Sequence, residues 1–298
     1  MKTKLFFPIL LLAFALPKKL TAQGCSDAGF CSISHMKPHQ QENLPINSLK
    51  IGSFFGKADQ SISVYGAYLE YNYQFNENFG VGTKLTTLGQ QKSPISKFGL
   101  GDVFLNGNYR LNEKLKFTFG VKTPLTKGNA QENKMILPPD FQSSLGTFDF
   151  IFATSYHIEK LQLTLGVQQP LSHGDARVEH KSYRGHFIRK GDVLLRASYP
   201  IEINEKIRIT PSLLPIYHLA NDHLFVIEPP VGKTNTPQTI EIEGSKGLTF
   251  NSNLYLDYVF DSKNALQMSV GFPLITRKIR PDGLTRSFVA NLEYKLNF

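Results

Sequence analysis

Three acids stand out because each opens a similar short phrase: Gly99-Leu-Gly-Asp102, Gly146-Thr-Phe-Asp149 and Lys190-Gly-Asp192. Carboxylates repeated at one height of a sheet form a ring, a device that sorts solutes by charge. Lys84, Arg110, Lys122, Arg196 and Arg208 lie on neighbouring stretches and would neutralise such a ring. A wall stitched together by ion pairs is therefore the preferred reading over a charge filter. Cys25, Cys31, His35, Met36 and His39 offer soft donors of the kind copper or zinc takes, yet their spacing matches no standard structural zinc pattern. Two close cysteines in an exported segment pair with each other where the compartment is oxidising, so Cys25–Cys31 is expected as a disulfide and no metal or cofactor is assigned. Ser155-Tyr-His157 supplies a nucleophile and a base. Both fall on one side of an alternating stretch and no third orienting group accompanies them, so nucleophilic catalysis lacks its geometry. G-x-S-x-G, H-E-x-x-H and a phosphate-cradling glycine loop are all absent, and the chain does not read as an enzyme.

The segments that must position these groups alternate in polarity over about ten residues each. Leu69, Tyr71, Tyr73 and Phe75 alternate with Tyr68, Glu70, Asn72 and Gln74; Leu105, Tyr109 and Leu111 alternate with Phe104, Asn106, Asn108 and Arg110. The last stretch sets Phe288, Ala290, Leu292, Tyr294, Leu296 and Phe298 against Asn291, Glu293, Lys295 and Asn297. One face suits lipid and the other water, the pattern of transmembrane strands. By this phase Asp102, Asp149 and Asp192 point inward, and Tyr68 and Phe104 would line an apolar path among the polar positions. After the N-terminal apolar run, no stretch approaches the roughly 20 apolar residues of a transmembrane helix. Backbone groups in lipid must all be paired within the protein, so strands can span only as a closed barrel.

The connections sharpen the topology. Short polar turns at residues 76–78, 112–114, 157–160, 204–206 and 261–264 alternate with longer polar stretches at 90–97, 128–145, 174–189, 220–244 and 277–283. Only the connection near residues 57–60 is brief where a long one is due. Tight turns facing the periplasm and loops facing outward give an all-β, antiparallel, up-and-down transmembrane barrel of about twelve strands, with ten or fourteen as alternatives. An even count places both termini in the periplasm. The histidines His173, His180 and His186 in one loop, and His218 and His223 in another, have no ligand spacing. The cations Arg177, Lys181, Arg184, Arg189 and Lys190 read as solvated or as partners of lipopolysaccharide phosphates.

Met1 to Lys4 followed by the apolar run from Leu5 to Pro17 reads as a secretory leader, taken as residues 1–22. Residues 23–46 show neither helical nor strand periodicity and are expected as a periplasmic extension, either disordered or tucked into the barrel as a small plug. Residues 47–298 form the barrel itself. The formal charge is +9, of which Lys2, Lys4, Lys18 and Lys19 carry four, leaving +5 after the leader. So modest an excess does not point to nucleic acid.

A hairpin-level repeat runs through the chain: Gly120-Val-Lys-Thr-Pro-Leu125 is echoed by Gly166-Val-Gln-Gln-Pro-Leu171 and, shortened, by Gly271-Phe-Pro-Leu274. Proline donates nothing to a ladder, so Pro124, Pro170 and Pro273 mark bulges or the ends of pairing. These phrases, the Gly-x-Gly-Asp at 99–102, the tight turns and the terminal Phe298 together resemble the barrel family named for the meta-pathway of phenol degradation, related to the long-chain fatty-acid channels. The resemblance covers most of residues 48–298. It implies a porin-like transporter of small, hydrophobic molecules in the outer membrane of a Gram-negative bacterium, and the leader resembles those of Bacteroidetes. It also implies that Tyr294, Leu296 and Phe298 serve as the signal read by the barrel-assembly machinery. Outer-membrane lipid, lipopolysaccharide and a small-molecule cargo are the other expected partners. A barrel that transports nothing and binds through its loops is the rival reading, and a metal-handling accessory protein a third.

Overall fold

The computed structural model describes residues 36–37, 47–58, 61–173, 177–180, 183–228, 238–282 and 286–298. The leader, Cys25, Cys31, His35 and His39 lie outside the described residues. Twelve long strands follow one another: β1 (Ser48–Ala58), β2 (Ser63–Gln74), β3 (Phe79–Lys92), β4 (Ile95–Arg110), β5 (Leu115–Pro124), β6 (Phe148–Ile158), β7 (Leu161–Ser172), β8 (Asp192–Ser198), β9 (Ile207–His218), β10 (Gly247–Val259), β11 (Asn264–Ile275) and β12 (Arg286–Asn297). Each pairs antiparallel with its neighbour in sequence, and β12 pairs with β1, Ser48 opposite Asn297, closing the sheet. Closure leaves no unpaired edge, which is what lipid demands of a spanning sheet.

The pleat sorts the side chains as the alternation requires. On β2, Leu69, Tyr71 and Tyr73 are exposed on the outside while Tyr68, Glu70 and Asn72 are buried inside. On β12, Leu292, Tyr294 and Leu296 face out and Glu293 faces in at 5% exposure. An apolar exterior around a charged interior is the reverse of a water-soluble barrel, and it suits hydrocarbon outside. Rings gather at one end of the outer wall. Tyr73 meets Phe75 edge-on at 4.9 Å, Phe75 stacks on Phe79 at 5.4 Å, Tyr258 meets Phe260 at 4.9 Å, and Tyr71 lies against Phe298 at 6.2 Å. This is half of the aromatic girdle that anchors a barrel at the membrane interface.

The same end carries the tight turns. In four of them one side-chain oxygen accepts two backbone N–H groups: Asn76 from Asn78 and Phe79, Asn112 from Lys114 and Leu115, Asn204 from Lys206 and Ile207, and Asp261 from Lys263 and Asn264. Such Asx turns explain why Asn or Asp opens each. The backbone of Phe298 donates to Asn47 at 3.0 Å, so the described chain enters and leaves the barrel at this turn end.

The other end departs from the expectation at one connection. Residues 90–97, expected as a long polar loop, continue β3 and β4 in register up to Lys92 opposite Ile95, and only Ser93 and Pro94 form the turn. Their polarity reflects a hairpin that rises past the membrane, not an irregular loop. The registers of β6–β7 and β10–β11 shift beside Pro170 and Pro273, and Pro124 ends β5. Pro211 and Pro215 lie within β9 and carried no signal in the sequence. The β8–β9 ladder skips Leu195 and Arg196, where Pro215 brings no N–H.

Loops build structure over this end. Residues 177–180, 183–188, 223–228 and 238–241 form a four-stranded sheet. In the loop after β5, Leu137 and Phe141 pack with Ala58, Ile62 and Val64. Gln142 ties that loop together, accepting from the backbone N–H of Ala130 at 2.8 Å and donating to the carbonyl of Leu137 at 2.8 Å.

Candidate functional site

The lumen is the candidate site, and it divides into three levels. At the waist, Met36 is 1% exposed and packs with the inward Phe104, Ile151, Ala153, Leu194 and Leu214, contributed by β4, β6, β8 and β9. Arg196, also buried, donates from Nη1 to the Met36 carbonyl at 2.5 Å. A segment from outside the barrel wall is thus seated among side chains on four strands.

Beside it lies a charge cluster spread over the four adjacent strands β12, β1, β2 and β3. Glu293 on β12 accepts from the Tyr68 hydroxyl at 2.6 Å and from Lys37 at 3.2 Å on one carboxylate oxygen, and faces Lys50 at 3.6 Å with the other. Glu70 accepts from Asn72 at 3.0 Å and pairs with Lys84 at 3.8 Å, and the Lys84 ammonium sits 3.6 Å from the centre of the Tyr68 ring. Each charge is buried with an opposite charge, as buried charge requires. Gly52 makes room for the arrangement. It stands opposite Tyr68 in the β1–β2 register, and a Cβ there would lie 2.1 Å from the ring. Gly52→Ala should therefore push Tyr68 off Glu293 and lower stability by about 1–3 kcal/mol. Thermal unfolding in detergent measures this, and an unchanged midpoint would show that the ring moves freely.

The third level is at the loop end. Asp149 pairs with Lys122 at 2.9 Å and with Gln168, and Lys122 also donates to Thr147 at 2.8 Å. Asp102 accepts from Ser144 at 2.5 Å. Asp192 pairs with Arg189 and, at 2.7 Å, with His218, whose other ring nitrogen meets Asp222 at 2.9 Å. Asp282 pairs with Arg277 at 2.8 Å and Arg189 at 3.6 Å. The three acids that recur in sequence are therefore held in separate bonded groups: Asp102 and Asp192 fasten loops to the wall through Ser144 and Arg189, whereas Asp149 joins the neighbouring strands through Lys122 and Gln168. Asp222, His218, Arg277 and Asp282 complete the last group and had no recurring phrase to reveal them.

Asp282 gives this level a pH dependence. Burial alone would push its carboxyl up, but the guanidiniums of Arg277 and Arg189 pull it from the ordinary 3.8 to about 2. A depressed value stabilises the folded form above the ordinary value, and that stability is lost as pH falls through the folded value. The contribution, about 2 kcal/mol, should be whole above about pH 4 and gone at about pH 2. Hydrogen exchange of residues 276–282 should show protection falling across that window, and Asp282→Asn should abolish the pH dependence.

Of the other expected site residues, Arg110 lies at the turn-end rim beside Lys116. Tyr294 donates to Asn264 at 2.5 Å, and Leu296 and Phe298 are exposed on the outer wall. Ser155 shares a hydrogen bond with Thr164 at 2.9 Å on the inner wall, so its hydroxyl partner is a threonine. Among the described residues, no group of three His, Cys, Asp or Glu side chains is placed to hold a metal.

No protein-family model and no curated protein matches this sequence. Solved structures resemble it in outline. The barrel is similar to porins and channels. The NanC porin matches at 9% identity over 85% of this chain and 98% of its own, with a TM-score of 0.45. The CymD monoaromatic hydrocarbon channel matches at 9% identity over 93% of this chain and 94% of its own, with a TM-score of 0.46. The KdgM porin, solved in complex with disordered oligogalacturonate, matches at 10% identity over 84% and 99%, with a TM-score of 0.43. Likeness this remote concerns architecture and carries no cargo to the present chain.

Proposed function

We propose that the chain is an outer-membrane, porin-like transporter that passes or holds a small molecule in its lumen. The observation that carries this is the amide of Asn251 on β10, 1% exposed, inward-facing, and with neither its nitrogen nor its oxygen hydrogen-bonded among the described residues. Asn253 Nδ2, Asn106 Oδ1 and Asn72 Oδ1 are in the same position. A wall stitched only for stability satisfies its buried amides; a wall that meets a solute leaves donors and acceptors for it. Twelve strands give a lumen between the self-filled barrel of eight and the open channel of sixteen. The apolar waist around Phe104 fits the hydrophobic part of a cargo.

In this reading residues 23–46 form a small plug, supported by the seating of Met36 and Lys37 at the waist. The turn end faces the periplasm with both termini, and the loop end faces lipopolysaccharide. Tyr294, Leu296 and Phe298 line the outer wall where the assembly machinery would read them. Purified protein in planar bilayers should conduct, and liposomes containing it should admit small solutes. Bilayers that stay silent together with liposomes that admit nothing would overturn the transporter reading in favour of a barrel that binds through its loops.

A further inference from the structure

His218, the last residue of β9, lies where three loops meet, and it is 1% exposed. Its Nδ1 is 2.7 Å from Asp192 on β8, and its Nε2 is 2.9 Å from Asp222 in the loop between β9 and β10. A neutral imidazole carries one N–H and one lone pair, so it donates to only one of the two carboxylates, and the other contact sets a lone pair against an anion. Only the imidazolium donates to both. The surrounding charges agree with a cation here. Among the described residues the bonded group contains three acids, Asp192, Asp222 and Asp282, and two guanidiniums, Arg189 and Arg277. A protonated His218 makes the numbers equal; a neutral one leaves an excess carboxylate buried. Lys190 and Lys246 on the flanking loops, and Lys278 and Arg280 after β11, are exposed or half-exposed around the group, and His173 just past β7 is half-buried near Asp222.

Asp222 fastens the loops to one another. Its Oδ1 also accepts the backbone N–H of Lys190 at 2.8 Å in the loop after β7, its own N–H donates to Ser245 Oγ at 2.8 Å, and its carbonyl accepts from the N–H of Ile242 at 2.8 Å. The carbonyl of Ser245 in turn accepts from Arg277, which pairs with Asp282 in the loop after β11. One ring proton therefore bears on three of the loops over this mouth. The two acids differ in their freedom to leave it. Asp192 stands opposite His218 in the β8–β9 ladder and cannot withdraw, whereas Asp222 is on a loop.

We infer that His218 is a pH-operated latch: as the imidazolium it ties the loops after β7, β9 and β11 to one another across the loop end, and on losing its proton it releases Asp222 and the loops part. A cation bonded to acids holds below its titration range, and the hold is lost as pH rises through that range. The step is distinct from that of Asp282, which loosens the same end only toward about pH 2. The latch rests on the geometry around His218. Its effect on flow, a lumen more open at high pH than at low, rests on the transporter reading above.

Hydrogen exchange of the full chain in detergent, read at the amides of Lys190, Asp222 and Ile242 and corrected for intrinsic rate, tests it. Between about pH 5 and about pH 9, on either side of the range in which imidazoles titrate, their protection should fall by about tenfold, as the loss of a hydrogen bond to a charged group implies. His218→Gln answers only one carboxylate at any pH and should abolish the step. Asp222→Asn, whose amide can donate to the neutral ring, should abolish it as well and serves if the first variant folds poorly. His173→Gln should leave the step in place. In planar bilayers the parent protein should pass more current at the higher pH, and His218→Gln should not respond. Protection that does not change with pH, or a step that disappears in His173→Gln instead, would overturn the latch. A protection step in channels whose current is indifferent to pH would overturn its control of flow. Silent bilayers beside an intact protection step would overturn the transporter reading while the latch stood.

Discussion

Glu293→Ala is expected to destabilise the folded barrel by about 3–5 kcal/mol, the cost of stranding buried charge by removing its partner. One carboxylate serves Tyr68, Lys37 and Lys50, and its loss leaves two ammonium groups and a hydroxyl inside the wall with nothing to answer them. Glu293→Gln still accepts from Tyr68 but lacks the charge, so its loss should be intermediate. Urea unfolding followed by tyrosine fluorescence measures the difference, since the chain has twelve tyrosines and no tryptophan. If Glu293→Ala unfolded with the parent protein, the cluster would contribute nothing to the fold. The substitution should also release Lys37, so increased conductance in bilayers would connect the same carboxylate to the seating of Met36 and Lys37 in the lumen.

Leu292→Arg should cost about 2–4 kcal/mol, because Leu292 is exposed on the outer wall midway along β12, where a charge meets hydrocarbon. Gln267→Arg, on the inner wall of the adjacent strand, should cost far less. Gln267 already donates to Asp257 at 2.6 Å and stands opposite Glu293, so the new guanidinium finds acids waiting. Refolding titrations into lipid vesicles compare the two. Equal costs, or a larger cost for Gln267→Arg, would show that the two faces of the barrel had been wrongly assigned.

The barrel was legible because its rules are local. Alternation at Leu69, Tyr71 and Tyr73 sets the face of β2 by itself, and Asn76, Asn112, Asn204 and Asp261 each make their turn from within three residues. Residues 90–97 misled for the same reason, since polarity alone does not separate an irregular loop from a hairpin standing in water. The site was less legible. Asp102, Asp149 and Asp192 recur in similar phrases, yet Asp102 bonds Ser144 of the loop after β5, Asp149 bonds Lys122 and Gln168 on neighbouring strands, and Asp192 bonds Arg189 of the loop after β7, and phrases do not report which partner each acid meets. Glu293 lies 225 residues from Tyr68 and 256 from Lys37, a distance no motif spans.

The sequence by itself determined the strands, their faces, their turns and hence a closed apolar-sided barrel, because each of these depends on neighbours two to four residues apart. Only the tertiary structure decided which inward charges meet: the register of twelve strands, the room left by Gly52 and the seat of Met36 bring Glu293, Tyr68 and the lysines together and set His218 opposite Asp192. Inward alternation says that a charge faces the lumen; closure and register say what it faces there.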